Sequence, residues 1–457
     1  MSADEAHPAS FRDPSGHLFR RDGVLYRHVG EASAPGYDAL MASGLYAELV
    51  GEKLLVPHEE VSLEDRPGAH RVLRPQIVPF VSYPYEWAFS QLRDAALLTL
   101  DLAGRASRRG LSLKDASAFN VQFRGCSPVF IDTLSFEPLR EGEPWVAYRQ
   151  FCEHFLAPLA LASRLDPRLG GLWRAQLDGV PLDLASRLLP RATWLRPGLL
   201  THLHLHARSQ RFYADRAAPR RRIAVTPTAR AAMLDSLRRT VLSLRAPSGP
   251  SEWAEYERTH AYTEPTRSAK EETVSRWLAR LRPRSVWDLG ANVGRFGRIA
   301  AGHGAYAVCF DVDPAVVEAA YRAGRAESRR DLLPLVLDIA NPSPGLGWEG
   351  REREPLEARG RPDALLALAL VHHLAIGRNV PLPLVARWFS RLSRSAIVEF
   401  VPKDDPQVRR LLRSRRDVFV DYGPATFEDA FSSRFRLEEK VALPGSGRTL
   451  TLWLERP

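Results

Sequence analysis

Hydrophobic and polar positions change their period twice along the chain. From about Gly16 to Pro138, short alternating runs such as Gly16-His-Leu-Phe-Arg-Arg-Asp-Gly-Val-Leu-Tyr-Arg-His-Val29 mix with two long stretches of helical period. From about Trp145 to Leu244 the period is almost wholly helical, interrupted at Pro181, Pro190 and Pro197. A Pro/Gly/Ser break, Ala246-Pro-Ser-Gly-Pro-Ser251, then precedes strands that alternate with helices. The pattern predicts an α+β module over 1–140, a helical connector over 141–250 and an α/β domain over 251–457.

Chemistry concentrates in the last of these. A β-type run, Ser285 to Leu289, meets a turn with the spacing Asp288-x-Gly290-x-Asn292-x-Gly294, and a helix follows to Ala301. Gly290 permits a tight turn, Gly294 lets a ligand approach the backbone, and the helix N-terminus offers free N–H groups to an anion. A second strand, Tyr306 to Pro314, ends in acids about 20 residues later, where Asp311 is placed to accept from two ribose hydroxyls. A third short strand ends at Asp338. The fourth, Asp363 to His373, is almost wholly apolar, as a strand buried on both faces should be. A fifth runs from Ser395 to Phe400, and a hairpin, Phe435–Lys440 with Thr449–Glu455, closes the chain.

Five β/α units and a terminal antiparallel hairpin resemble the seven-stranded, Rossmann-like fold of class I S-adenosylmethionine-dependent methyltransferases, over residues 255 to 457. A Rossmann-type dehydrogenase fits less well, because the third glycine of its fingerprint falls wrongly and the hairpin is unexpected. The resemblance implies S-adenosyl-L-methionine as cofactor. Asp288, Gly290, Asn292 and Gly294 would line its methionine moiety, Asp311 would hold its ribose, Asp338 and Ile339 would face its adenine, and Val312 and Leu370 would also contact the cofactor. The runs Val398–Asp405 and Arg415–Tyr422 are similar to a bacterial subgroup that includes nodulation-type methyltransferases. Methyl transfer needs mainly alignment, and a base only where the acceptor must lose a proton. His372 and His373 are candidates for that base, with Glu399 and Lys403 as weaker candidates for acceptor contacts; packing beside the pocket is the alternative for the histidines. Trp253, Tyr256, Tyr262 and Lys270 are candidates for a lid helix, or for ordinary helix packing.

The N-terminal segment carries Lys114-Asp-Ala-Ser-Ala-Phe-Asn120 and, further on, Val129-Phe-Ile-Asp132. This layout resembles the catalytic loop and metal-binding aspartate of aminoglycoside phosphotransferase-type kinases, in which Asn120 and Asp132 would hold magnesium with ATP. A hairpin from Gly16 to Val29, a helix from Tyr37 to Val50 and a hinge-like Val78 to Trp87 follow the same order. Arg27 stands where the ATP-binding lysine is expected, and Glu48 where its helix partner is. No glycine-rich phosphate loop is present, and arginine replaces lysine poorly because its planar fork places charge differently. Capping of a turn by Asp115 and Asn120 is the plainer reading of the loop. A degenerate module that recognises the acceptor is therefore expected, with a bifunctional kinase–methyltransferase or a non-catalytic methyl-donor-binding scaffold as the alternatives.

Composition adjusts this picture little. The chain has 457 residues, a formal net charge of +10 and 45% apolar residues, the profile of a soluble globular protein of more than one domain. Lysine occurs only at positions 53, 114, 270, 403 and 440, so the charge is mostly arginine and reads as codon bias. Clusters at Arg220–Arg222 and Arg409–Arg416 are expected to be solvated faces, and nucleic acid is not the expected partner. The expected acceptor is a small molecule or sugar-type metabolite first, a protein or peptide second. Cys126, Cys152 and Cys309 have no disulfide or metal spacing, and no apolar leader or spanning run is visible, so a cytoplasmic location without membrane insertion is expected. Thr201-His-Leu-His-Leu-His206 would gather three imidazoles for zinc only if it were a strand.

Overall fold

The computed structural model describes residues 5–13, 16–63, 68–213, 224–247, 263–413 and 416–456. The chain divides into two compact units. The first gathers the described residues of Met1–Phe123, Pro128–Ser248 and Gly345–Arg353; the second gathers those of Arg124–Ser127, Gly249–Pro344 and Glu354–Pro457.

In the first unit, β1 (Glu5–Ala6), β2 (Leu18–Arg21), β3 (Val24–Gly30), β4 (His58–Val61) and β5 (Ala69–Pro75) form an antiparallel sheet of order β1-β2-β3-β5-β4. The β2–β3 turn is Asp22-Gly23, both at positive φ (52° and 77°), the geometry that matches the twist of a hairpin. Helices Ala34–Ala42 and Leu45–Gly51 connect β3 to β4. They replace the single helix expected over 37–50, because Gly44 adopts φ 72° between them and ends the first. The helix Phe89–Arg108 buries Leu92, Ala95, Ala96, Thr99, Leu102 and Ala106 on one face. It leads into β6 (Leu111–Leu113), β7 (Val121–Arg124), β8 (Ser127–Phe130) and β9 (Phe136–Pro138), with β6 paired to β9 and β7 to β8. Helices then continue to Ser243, and the prolines fall at their starts: Pro181 before Leu182–Leu188, Pro190 before Arg191–Leu195 and Pro197 opening Pro197–Leu199.

The second unit is built on a seven-stranded sheet of order β12-β11-β10-β13-β14-β16-β15. Its strands are β10 (Ser285–Leu289), β11 (Tyr306–Asp311), β12 (Leu332–Val336), β13 (Ala364–Ala367), β14 (Ser395–Phe400), β15 (Phe435–Ala442) and β16 (Thr449–Glu455). The first five run parallel, and β16 inserts antiparallel between β14 and β15. This is the topology that the class I methyltransferase resemblance implies. β13 and β14 are buried at every residue, while edge strand β15 alternates buried or half-buried with exposed positions, as layers on both faces of the centre require. The helix Glu264–Leu281 places Val274, Trp277 and Leu278 against Val286, Ile397 and Leu450 in one core cluster.

Two strand ends differ from expectation. The third strand starts earlier and stops at Val336, so Asp338 lies beyond it. The fourth stops at Ala367: Ala369 takes φ 52°, incompatible with a strand, and helix begins at Val371. His372 and His373 therefore stand at a helix start rather than on the strand. No helix among the described residues is long and apolar enough to cross a membrane.

Candidate functional site

A cavity of about 460 Å³ opens at the C-terminal ends of the parallel strands of the second unit. That edge is where an open α/β sheet exposes loops and helix N-termini to a ligand. β10 leaves the sheet through a turn in which Gly290, Asn292 and Gly294 all have positive φ (74°, 51° and 79°), which explains glycine and asparagine at these positions. Gly290 N and Ala291 N both donate to Phe310 O, tying the turn to β11. Asp288, almost fully buried, accepts from Gly297 N at 3.1 Å and so caps the helix Arg295–Gly302 from beneath the turn. Burial pushes its carboxyl up to about 7, against the pull of Lys270.

Asp311 ends β11 with each oxygen already anchored: Oδ2 accepts from Asn292 N at 2.8 Å and Oδ1 from Asp313 N at 3.0 Å. Each carboxylate oxygen retains a further lone pair for a ligand donor. Burial raises this group to about 6, partly offset by those backbone N–H groups. Val312 beside it is a large aliphatic side chain left 45% exposed, and Ile339 adds a second apolar surface in the same cavity. Asp338 also lines it, held by Ala340 N at 2.9 Å and by Arg378 Nη2 at 3.1 Å. Leu370 packs close over Gly290, where a Cβ would lie 3.3 Å from its Cδ1.

The fold thus brings Asp288, Gly290, Asn292, Asp311, Val312, Asp338, Ile339, Leu370 and His373 to one cavity. Gly294 stands just behind the wall, starting the helix. His372 and Glu399 are not on the wall. His372 is fully buried, its ring tilted against that of His373 at 4.1 Å between centroids, with neither ring nitrogen hydrogen-bonded among the described residues. Glu399, also fully buried, is committed to Lys270 Nζ at 2.7 Å and Arg448 Nη1 at 3.3 Å. The acceptor-side roles expected of these two residues would need them on that wall, where the structure does not place them. Lys403 pairs with Asp417 at 3.0 Å. Lys270 is on the wall, whereas Trp253, Tyr256, Tyr262 and Arg220–Arg222 lie outside the described residues. Phe296, Leu374, Arg378 and Leu411 are also on the wall and have no signal in the sequence. His373 is held down to about 4 by burial and by Arg448, so its imidazole is neutral at pH 7.

In the first unit, Arg27 bridges Asp13 (2.6 Å) and Asp132 (2.9 Å). Asp132 also accepts from Ser135 Oγ at 2.5 Å and Leu134 N at 3.1 Å, and Asn120 Nδ2 donates to the same Ser135 Oγ at 3.2 Å. Asp115 is raised by burial and receives hydrogen bonds from Ser117 N and Asn120. Glu48 does not meet Arg27; it pairs with Arg105 at 2.8 Å and with Arg109, because its helix faces the cationic end of Phe89–Arg108. The 201–206 stretch is helical, not a strand: π-helical over Leu200–Leu205, with an α-helix starting at His206. His202 bonds Tyr148 and Ser236 at 2.8 Å, and His204 bonds Ser186 and Thr193. Among the described residues no group of three or more His, Cys, Asp or Glu is placed to hold a metal.

The nodulation protein NoeA of Rhizobium meliloti (strain 1021) is 38% identical over 456 residues, spanning 96% of this chain and 94% of its own length. The chain belongs to the NoeA family. No family profile matches it. Among solved structures, this NoeA-family chain is similar to the N-methyltransferase NodS from Bradyrhizobium japonicum WM9, with 13% identity, 42% of this chain, 98% of NodS and a TM-score of 0.31. It is similar also to magnesium protoporphyrin IX methyltransferase (ChlM) from Synechocystis PCC 6803 with bound SAM, with 15% identity, 46% of this chain, 87% of ChlM and a TM-score of 0.31. The bifunctional kinase-methyltransferase WbdD overlaps 44% of this chain and 41% of its own at 19% identity and a TM-score of 0.30.

Proposed function

We propose that the second unit binds S-adenosylmethionine and transfers its methyl group to a small-molecule acceptor of sugar type, with a peptide as the second choice. One observation carries the reading: Asp311, at the end of β11, lines the cavity with both oxygens pre-oriented by backbone N–H groups of the glycine turn and of Asp313. A carboxylate so held is organised to accept from vicinal hydroxyls without rearranging. Val312 and Ile339 offer apolar surface to the purine, and the Asp288–Gly294 turn takes the amino-acid end.

When bound, the cofactor supplies an activated methyl group on a sulfonium, so this chain's residues have alignment and exclusion of water as their main tasks. His373 is the imidazole on the cavity wall. At a pKa of about 4 it is a poor match for a general base at neutral pH, and orienting an acceptor donor by hydrogen bond suits it better.

For the first unit, strand order β1-β2-β3-β5-β4, the β6–β9 and β7–β8 pairs, and the Asp115–Asn120–Asp132 set support a kinase-like module used to recognise the acceptor. Against the bifunctional alternative stands Arg27: its guanidinium lies on Asp132, where a kinase would need a magnesium ion.

Calorimetric titration of S-adenosylmethionine and S-adenosylhomocysteine, wild type beside Asp311→Ala, tests the methyl-donor reading. Saturable binding weakened about tenfold or more in the variant, the worth of about one charge-assisted hydrogen bond, is expected. Absence of binding by the wild type would sink it.

A further inference from the structure

Along the sheet edge the strands run β12, β11, β10, β13, β14, each roughly 4.8 Å from the next. Asp338 and Ile339 follow β12, Asp311 ends β11 and Asp288 lies in β10, so the nucleoside residues occupy the β12–β11 side. Lys270 occupies the other side. Its Nζ is 2.7 Å from Glu399 on β14 and 4.8 Å over the ring of Phe296, and both Lys270 and Phe296 line the cavity.

From Lys270 a chain of buried charge runs away from the cavity. Glu399 Oε1 receives Arg448 Nη1 at 3.3 Å. Arg448, 1% exposed, then grips Asp405 with two further nitrogens, Nε to Oδ2 at 2.7 Å and Nη2 to Oδ1 at 3.1 Å. Asp405 is the N-cap of the helix Pro406–Leu412, its Oδ1 accepting from Gln407 N at 2.9 Å. That helix packs against the turn His373–Gly377, and its Leu411 returns to the cavity wall. The chain therefore starts and ends at the same cavity. Two cations and two anions buried in sequence are a weak source of stability, since apolar residues of like volume do as well or better. They do fix geometry: a bidentate guanidinium–carboxylate pair sets direction as well as distance.

We propose that Lys270, Glu399 and Arg448 are positioning residues that couple the amino-acid tail of a bound methyl donor to the helix Pro406–Leu412. An ammonium has three donors, so Lys270 Nζ holds Glu399 and the tail carboxylate together. With Lys270 fixed, Glu399 and Arg448 are fixed in turn, Asp405 caps its helix in one orientation, and Leu411 is set against the acceptor. This rests on the methyl-donor reading above, and the coupling is reciprocal: an ordered helix tightens the hold on the tail.

The test compares two nucleosides that share the purine and ribose. S-adenosylhomocysteine carries the tail; 5′-methylthioadenosine lacks it. Hydrogen exchange of the 403–413 peptide is followed in full-length protein saturated with each, with calorimetry confirming occupancy. S-adenosylhomocysteine is expected to slow exchange there about fivefold or more, the scale of an ordinary coupling energy, and 5′-methylthioadenosine to leave it unchanged. Glu399→Gln is expected to bind S-adenosylhomocysteine yet lose the protection. Lys270→Met is expected to lose affinity for S-adenosylhomocysteine and keep it for 5′-methylthioadenosine. Equal protection by both nucleosides, which needs no variant, would overturn the coupling, as would protection retained in Glu399→Gln. Failure of the wild type to bind either nucleoside would instead overturn the methyl-donor reading, and the coupling with it.

Discussion

Arg27 Nη1 lies 2.9 Å from Asp132 Oδ1, and the same guanidinium reaches Asp13 at 2.6 Å, with both members of the central pair largely buried. A cation built into the chain thus neutralises the carboxylate that a kinase would reserve for magnesium. Removing one partner of such a pair leaves a desolvated charge, so Arg27→Met should destabilise the first unit by on the order of 3 kcal/mol. Urea unfolding followed by tryptophan fluorescence measures it. Magnesium with ATP should leave the melting temperature of the wild type unchanged; a magnesium-dependent rise abolished by Asp132→Ala would favour the bifunctional reading instead.

Asp311 gives the cofactor a pH signature. Its carboxyl is raised to about 6 by burial, and hydroxyl donors from a ribose favour the ionised form. Below about pH 6 a proton must leave before binding, so affinity for S-adenosylhomocysteine should rise with pH through that value and level off above it. The fall on the acid side should approach about tenfold per pH unit. Titrations from pH 5 to 8 read the slope, and Asp311→Asn should bind weakly with a flat profile. A wild-type profile already flat would show that Asp311 is not a ligand.

The helix Arg295–Gly302 separates packing from chain entropy within one element. A Cβ on Gly297 would fall 2.2 Å from Cys309 Sγ and 3.1 Å from Leu332 Cδ1, whereas a Cβ on Gly302 meets nothing within 4 Å. Gly297→Ala should cost about 1–3 kcal/mol through overpacking. Gly302→Ala should stabilise by about 0.5 kcal/mol through a less free unfolded chain. Opposite shifts in the denaturation midpoint are the expected outcome; shifts of the same sign would contradict the packing described for β11.

Acid should loosen the first unit through its buried histidines. His154 and His202 are held neutral, each down to about 4, by burial above all. In the unfolded chain they take up a proton near pH 6.5, so the stability they contribute is fully present above that pH. It is lost as pH falls toward about 4, on the order of 3 kcal/mol each. Melting temperatures of His202→Gln should therefore fall less than those of the wild type between pH 7 and pH 5. An unchanged slope would mean that His202 is not the titrating group.

What the sequence determined by itself was local and periodic. The wholly apolar run at 364–367 and the apolar stretch Ala396-Ile-Val398 announce central parallel strands, because a strand covered on both faces has little polar surface. Asp288-x-Gly-x-Asn-x-Gly announces the turn, because three positive-φ positions at alternate residues favour glycine or asparagine. Asp311 is legible because the rule that places it is a matter of chain order within one β/α unit. The end of the fourth strand was not legible: nothing in Leu368-Ala-Leu-Val371 signals that Ala369 takes φ 52° and turns the chain into a helix.

Tertiary structure alone decided which charges are free to do chemistry. Glu399 sits near the C-terminal end of its strand like any candidate contact residue, yet Lys270, 129 positions earlier, and Arg448, 49 later, converge on it and seal it away. His372 and His373 are neighbours in sequence, but the rotation of about 100° per helical residue puts the second on the cavity wall and buries the first. Glu48 and Arg27 match the order of elements in the kinases that the sequence resembles, while the helix that carries Glu48 points it at Arg105. Long-range ion pairs leave no periodic trace in sequence, because either partner can come from any distance along the chain. Only the packed structure brings them within the few ångströms over which a charge is neutralised.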